Sequence, residues 1–220
     1  MPLILFAVAC GYLVGSIPTA FWLIKLWKGV DIREVGSGNP GATNVLRAAG
    51  PLPSLLVFLF DVAKGVIGVE LGSLLGHGSL IAAIVGGLAA VAGHNWSFWL
   101  RFRGGKGVST TLGVFLALSP PGALLSLTVF AAAVAVTRYV SLGSLLGGLT
   151  LPIYLLSTGQ SGYILAVSLL AALFIFYRHR SNITRLLKGT ELKLTLSGQG
   201  ARSTPGSPPP NPGGHGEFPR

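Results

Sequence analysis

The chain has 220 residues, half of them hydrophobic and only 10% charged, with a formal net charge of +10. Soluble domains carry about 25% charged residues, so an ordinary water-facing surface is excluded, and a single cysteine, Cys10, excludes a disulfide framework. Apolar runs over most of the length point to one integral membrane domain.

A helix needs about 20 apolar residues to cross a bilayer. In chain order, candidate spans cover residues 2–24, 52–75, 79–99, 108–119, 122–137, 142–158 and 162–177. The expected fold is therefore an all-α integral membrane protein of about seven transmembrane helices. The fourth and fifth runs are short; they form either one hairpin folded at Ser119-Pro120-Pro121-Gly122 or two half-buried pieces. The first run has no basic residue before it and is longer than a signal-peptide core, so it reads as a retained span. Residues 196–220 are rich in Pro, Gly and Ser and are expected to form a disordered cytoplasmic tail, leaving 1–195 as a single polytopic domain. Small-residue pairs at helical spacing, Gly11–Gly15, Gly72–Gly76 and Gly143–Gly147, suit close helix packing.

The basic residues follow the first, third, fifth and seventh runs. Of the 16 Lys and Arg residues, all but Lys64 then fall on one side. The positive-inside rule makes that side cytoplasmic, with the N-terminus outside and the C-terminus inside. The basic excess is thus a topology signal, and no nucleic-acid partner is expected.

Three polar segments share that side. The first is VGSGNPGATNVLRAAG, residues 35–50. Asn39 and Pro40 read as a helix N-cap and first-turn proline, and Gly50-Pro51 as the stop. The backbone N–H groups of Gly41, Ala42 and Thr43 would project from that helix start, where the dipole favours an anion. Ser37 precedes the start and Arg47 lies further along. The plain alternative is a capped re-entrant loop. The second segment is GHNWSFWLRFRGGKGVSTTLG, residues 93–113. Gly104, Gly105 and Gly107 surround Lys106, and Ser109 to Thr111 begin the next helix. This is not a Walker A loop, because Leu100 stands where its first Gly belongs and Gly107 follows the lysine. It reads as a flexible, phosphate-friendly approach to a helix start, or else as a basic interfacial loop. Trp96 and Trp99 read as belt aromatics. The third is YRHRSNITRLLKGTE, residues 177–191, where Ser181 is a candidate cap and His179 and Asn182 stand at the helix entrance. Alone, it would be an ordinary basic juxtamembrane helix.

Inside the second run, Asp61 and Lys64 stand at i and i+3 and can pair. A structural ion pair and a substrate-facing lysine are both open. No zinc-type ligand spacing, His-x-x-x-x-Asp arrangement or Gly-x-Ser-x-Gly elbow is present. The convergent groups are donors, which suits a substrate carrying phosphate and an acyl chain. A transporter of a phosphate-bearing anion or lipid is the alternative from another class, and a non-catalytic scaffold a third.

The three segments, in this order and spacing, resemble the motifs of the bacterial acyl-phosphate-dependent glycerol-3-phosphate acyltransferases, the PlsY family, over residues up to about 193. The resemblance implies an enzyme of the inner (plasma) membrane with its motifs on cytoplasmic loops. It implies transfer of an acyl group from acyl phosphate to the 1-hydroxyl of sn-glycerol 3-phosphate, giving lysophosphatidic acid and phosphate. It also implies no cofactor, no metal, and a functional link to an enzyme that produces acyl phosphate. By motif position, Ser37, Arg47, Lys106, His179 and Asn182 would be catalytic or phosphate-binding. Gly41, Ala42, Thr43, Asn44, Gly104, Gly105, Gly107 and Ser181 would contact substrate, and Glu191 would be structural beside Asp61 and Lys64. The hydroxyl proton would go either to the donor's own phosphate or to His179.

Overall fold

A computed structural model describes residues 2–194; the expected tail at 196–220 lies outside the described residues. The described chain is helical throughout, without strands. Helices α1 (Pro2–Ser16) and α2 (Thr19–Lys28) are separated at Ile17-Pro18, where proline cannot donate to the helix ladder. Next come α3 (Ala42–Ala49), α4 (Pro51–Leu75), α5 (Leu80–Asn95), α6 (Val108–Leu118), α7 (Pro120–Thr137), α8 (Val140–Ser157), α9 (Gly162–Arg178) and α10 (Arg180–Leu187).

Five stretches are long and apolar enough to cross a membrane: Leu3–Lys28, Pro51–Leu75, Leu80–Leu100, Pro120–Thr137 and Val140–Ser157. Helices α9 and α10 add a sixth if taken together, although they bend by 60°. The expected span at 108–119 is the 11-residue α6, about 16 Å long, roughly half the thickness of a core of about 30 Å. It does turn into α7 at Ser119, so the hairpin reading holds there, but α7 has 18 residues and is a full-length apolar helix.

Helices α1, α4 and α5 pack together, with α6 against α4, while α7, α8 and α9 form a second group. Small residues permit the close approaches. A Cβ on Gly11 or Gly15 would run into α5 at Gly86 or Ala90, and one on Gly72 would meet Ala82. On α8, a Cβ at Gly143 or Gly147 would crowd Phe130 or Ser126 of α7. The outside is apolar, with Leu5, Phe60, Leu74, Val136, Leu156 and Leu173 all exposed. Such a surface is stable against hydrocarbon, where helices satisfy their own backbone groups.

Candidate active site

The first motif is shaped by one side chain. Asn44 is fully buried; its Nδ2 donates to the Ile32 and Val35 carbonyls (3.0 and 2.8 Å) and its Oδ1 accepts from the Ser37 N–H (2.9 Å). These bonds fold residues 32–37 back over α3, a path that needs left-handed backbone at Gly36 and Gly38. Asn44, expected to contact substrate, therefore spends its side chain on the loop. The helix also starts later than its sequence suggested. Gly41, not Asn39, is the N-cap residue, without a side-chain cap. The Gly41 N–H is taken by the Asn39 carbonyl at 2.9 Å, which leaves Ala42 and Thr43 as the donors of the first turn. Gly50 ends α3 and Pro51 opens α4 at once, as expected. Arg33 does not contribute a free cation: it grips Asp31 in a two-pronged ion pair with contacts of 2.6–3.1 Å.

The second motif is tied by its backbone to the end of α5. Gly104 N–H donates to the Asn95 carbonyl (3.1 Å) and Gly105 N–H to the His94 carbonyl (3.0 Å). These amides are therefore not available to a phosphate. The glycines serve close approach: a Cβ at Gly104 would strike the His94 carbonyl, one at Gly105 the His94 ring, and one at Gly107 the Asn95 amide. Gly107 is left-handed (φ +81°) and caps α6, whose Thr111 N–H returns to the Gly107 carbonyl at 2.7 Å. Only Lys106 projects from the turn.

The third motif bends at His179, between α9 and α10. Ser181 lies inside the first turn of α10 and caps nothing. His179 is buried, and its Nδ1 sits 2.8 Å from the Ile175 carbonyl. A carbonyl only accepts, so Nδ1 carries the proton and Nε2 presents a lone pair. Burial, followed by the nearby Lys106 ammonium, pushes the imidazole down to about 4. Asn182 accepts from the Lys106 ammonium and donates to Glu191 Oε1 at 2.6 Å. Glu191 also accepts from Ser141 of α8 (2.7 Å) and Arg185 (2.6 Å). Burial would raise the Glu191 carboxyl, but these three donors outweigh it and hold it below the usual carboxylate range. Burial lowers Lys106 to about 8; Glu191 opposes the shift, and the cations of Arg185, Arg178 and Arg47 add to it. Arg47, lowered by burial, donates to the Leu192 carbonyl at 3.2 Å.

All three motifs line one cavity of about 1620 Å³. Ser37, Thr43, Arg47, Lys106, His179 and Asn182 border its polar end, with Gly41, Ala42, Gly104, Gly107 and Ser181. Two helix starts, α3 and α6, open into it. The cavity continues between α6, α7, α8 and α9 along Leu127, Phe130, Gly147, Leu151 and Ile175. Gly105 does not line it; it faces a small void toward α1 and α4.

Behind the glycine turn, Asp61 and Lys64 pair at 2.6 Å, both almost fully buried. Lys64 also donates to the Ile17 carbonyl at the α1–α2 break (2.9 Å), and Thr19 donates to Asp61 (3.3 Å). His94 stands 3.4 Å from Lys64 and 3.7 Å from Asp61. Lys64 therefore faces away from the main cavity. Sequence reasoning assigned no role to Ser141, Arg178, Arg185 or His94. Arg178 and Arg185 lay in the third motif and His94 opened the second, so a signal was present; Ser141 had none, since only the fold brings α8 to Glu191.

The fold and the site together define a multi-pass membrane protein whose cationic pocket opens into an apolar groove. Residues 5–189 match the family model "Glycerol-3-phosphate acyltransferase". The chain is 49% identical over 183 residues to a glycerol-3-phosphate acyltransferase of Desulforamulus reducens, covering 83% of this chain and 91% of that one. It is 45% identical over 195 residues to one from Synechococcus sp. (strain CC9902), covering 89% and 97%. Two crystal structures of PlsY (YgiH), an integral membrane glycerol 3-phosphate acyltransferase, share the fold. Its glycerol 3-phosphate form gives a TM-score of 0.82 at 42% identity, covering 87% of this chain and 96% of that one. Its lysophosphatidic acid form gives 0.80 at 40% identity, covering 88% and 96%. The chain belongs to the glycerol-3-phosphate acyltransferase family.

Proposed function

We infer that this chain is a glycerol-3-phosphate acyltransferase that takes its acyl group from acyl phosphate and forms lysophosphatidic acid, the first step of phospholipid synthesis. The observation that carries this reading is the single cavity with Ser37, Arg47, Lys106 and Asn182 at one end and an apolar groove at the other. That shape suits a phosphate head beside an acyl chain.

The two substrates are both anionic and repel each other. Arg47, Lys106 and the first-turn amides of α3 and α6 offset that repulsion and stabilise charge on the departing phosphate. Glu191 holds Asn182, Arg185 and Ser141 in register around them. The glycerol hydroxyl oxygen bonds to the acyl carbon as the acyl–phosphate C–O bond breaks. The hydroxyl proton goes to an oxygen of the leaving phosphate. His179 supports this route: with Nδ1–H held by Ile175 and a pKa of about 4, it is a weak base that accepts a hydrogen bond and orients the hydroxyl. His179→Gln should lower the rate and leave the shape of the pH profile unchanged; loss of a pH-dependent limb would make His179 the base.

Counting α6 as a short crossing gives seven spans, an external N-terminus and an active site on the cytoplasmic side of the inner membrane, with every cation except Lys64 on that side. In a Cys10→Ser background, Gly78→Cys should react with impermeant maleimide from outside intact cells and Arg101→Cys only after lysis. For activity, reconstituted protein with radiolabelled glycerol 3-phosphate should form lysophosphatidic acid from palmitoyl phosphate and not from acyl-CoA. Uptake without product would point to transport instead.

A further inference from the structure

The Gly104–Gly105 segment is gripped on both edges. On one edge its N–H groups bond to the carbonyls of Asn95 and His94 at the end of α5, at 3.1 and 3.0 Å. On the other, Nη2 of Arg178 donates to the Gly105 carbonyl at 2.5 Å and lies 3.4 Å from the Gly104 carbonyl. All four backbone groups of the two glycines are thus engaged. Arg178 ends α9, immediately before His179, so it ties the third motif to the second. Its position is costly. It adds a cation to a pocket that already holds Arg47, Lys106 and Arg185, and its buried Nε has no partner among the described residues. A guanidinium placed there against charge and desolvation needs a return, and the clamp supplies one.

We propose that Arg178 is a positioning residue for the acyl transfer: it presses the Gly104–Gly105 backbone onto the end of α5, and so fixes where Lys106 and the start of α6 meet the substrate phosphate. The inference rests on reading this cavity as the acyltransferase site. Arg suits the task better than Lys, because Nη2 carries two hydrogens fixed in the guanidinium plane and approaches both carbonyls, whereas an ammonium is a single mobile point. A shift of about 1 Å in such a group costs about 10²-fold in rate.

The test uses Arg178→Gln and Arg178→Lys in the full-length detergent-solubilised protein. Two readings are taken beside activity: hydrogen exchange of the Gly104 and Gly105 amides, and the alkaline limb of kcat/KM. Arg178→Gln should lower kcat/KM for glycerol 3-phosphate about 10²-fold, mostly through KM, and speed exchange of both amides at least tenfold. Lys106 faces Glu191, Arg185, Arg47, Asn182 and His179 besides Arg178. Loss of the Arg178 charge removes one repulsion from its ammonium, so the alkaline limb should move to higher pH. Arg178→Lys should restore the limb but only part of kcat/KM. A folded Arg178→Gln protein with kcat/KM within threefold of the parent, or with parental exchange at both glycines, overturns the proposal. If the Gln variant does not fold, the Lys variant decides by the same exchange measurement, parental protection again overturning it. An inactive parent would sink the acyltransferase reading instead, and the exchange result would still stand alone.

Discussion

The ammonium of Lys106 should govern the alkaline side of this enzyme's activity. Its pKa is about 8, depressed first by burial and then by Arg185, Arg178 and Arg47, with Glu191 opposing. A depressed lysine is charged below that value and neutral above it. The fraction charged falls from about 0.9 at pH 7 to about 0.1 at pH 9, so kcat/KM should fall about tenfold across that interval. The window is clean, because a phosphate monoester loses its second proton near pH 6 and His179 titrates near 4. In the enzyme–substrate complex a bound phosphate stabilises the ammonium, so the limb in kcat should lie at higher pH than the limb in kcat/KM. The assay is initial-rate lysophosphatidic acid formation between pH 7 and 9.5 at low and saturating glycerol 3-phosphate. Lys106→Arg provides the control: guanidinium does not titrate there, so its profile should be flat. A flat parent profile, or a limb that survives in Lys106→Arg, refutes the assignment of Lys106 as the phosphate-binding cation.

Glu191→Gln removes the carboxylate that opposes the Lys106 shift, so the limb should move to lower pH; an unmoved limb would show that Glu191 does not act on Lys106. Gly104→Ala places a Cβ against the His94 carbonyl, and should lower kcat/KM about 10²-fold in protein that still purifies as a stable monodisperse species; parental kinetics would mean the turn has slack that its packing denies. Lys64→Met takes the ammonium from the buried Asp61 carboxylate, leaving it the Thr19 hydroxyl and the His94 ring 3.7 Å away, and should cost up to about 3–5 kcal/mol, whereas Asp61→Asn with Lys64→Met should cost less. Thermal unfolding in detergent measures both, and a double variant no more stable than the single one would contradict the pairing.

Hydropathy in the sequence determined the helical membrane class, because hydrocarbon accepts few charges and leaves the backbone no partner but itself. The three motifs likewise marked candidate donors, since Arg47, Lys106 and Asn182 lie in three polar segments that share one side of the membrane. The chain alone could not determine how the glycines are used. Gly104 and Gly105 read as a flexible phosphate cradle, but their amides bond to α5, because only packing reveals that the end of α5 passes so close. Asn44 and Gly41 were misplaced for the same reason: their partners, Ile32, Val35, Ser37 and Asn39, were chosen by the folded loop rather than by helix propensity. The length of the fourth apolar run was not legible because composition registers hydrophobicity and not where a helix stops; α6 ends after 11 residues at Ser119-Pro120. Ser141 reached Glu191 from 50 residues away. Local sequence specifies which groups are available and which surfaces avoid water. Which of those groups remain free for a ligand depends on the neighbours that claim the others, and those neighbours are assembled only by the tertiary structure.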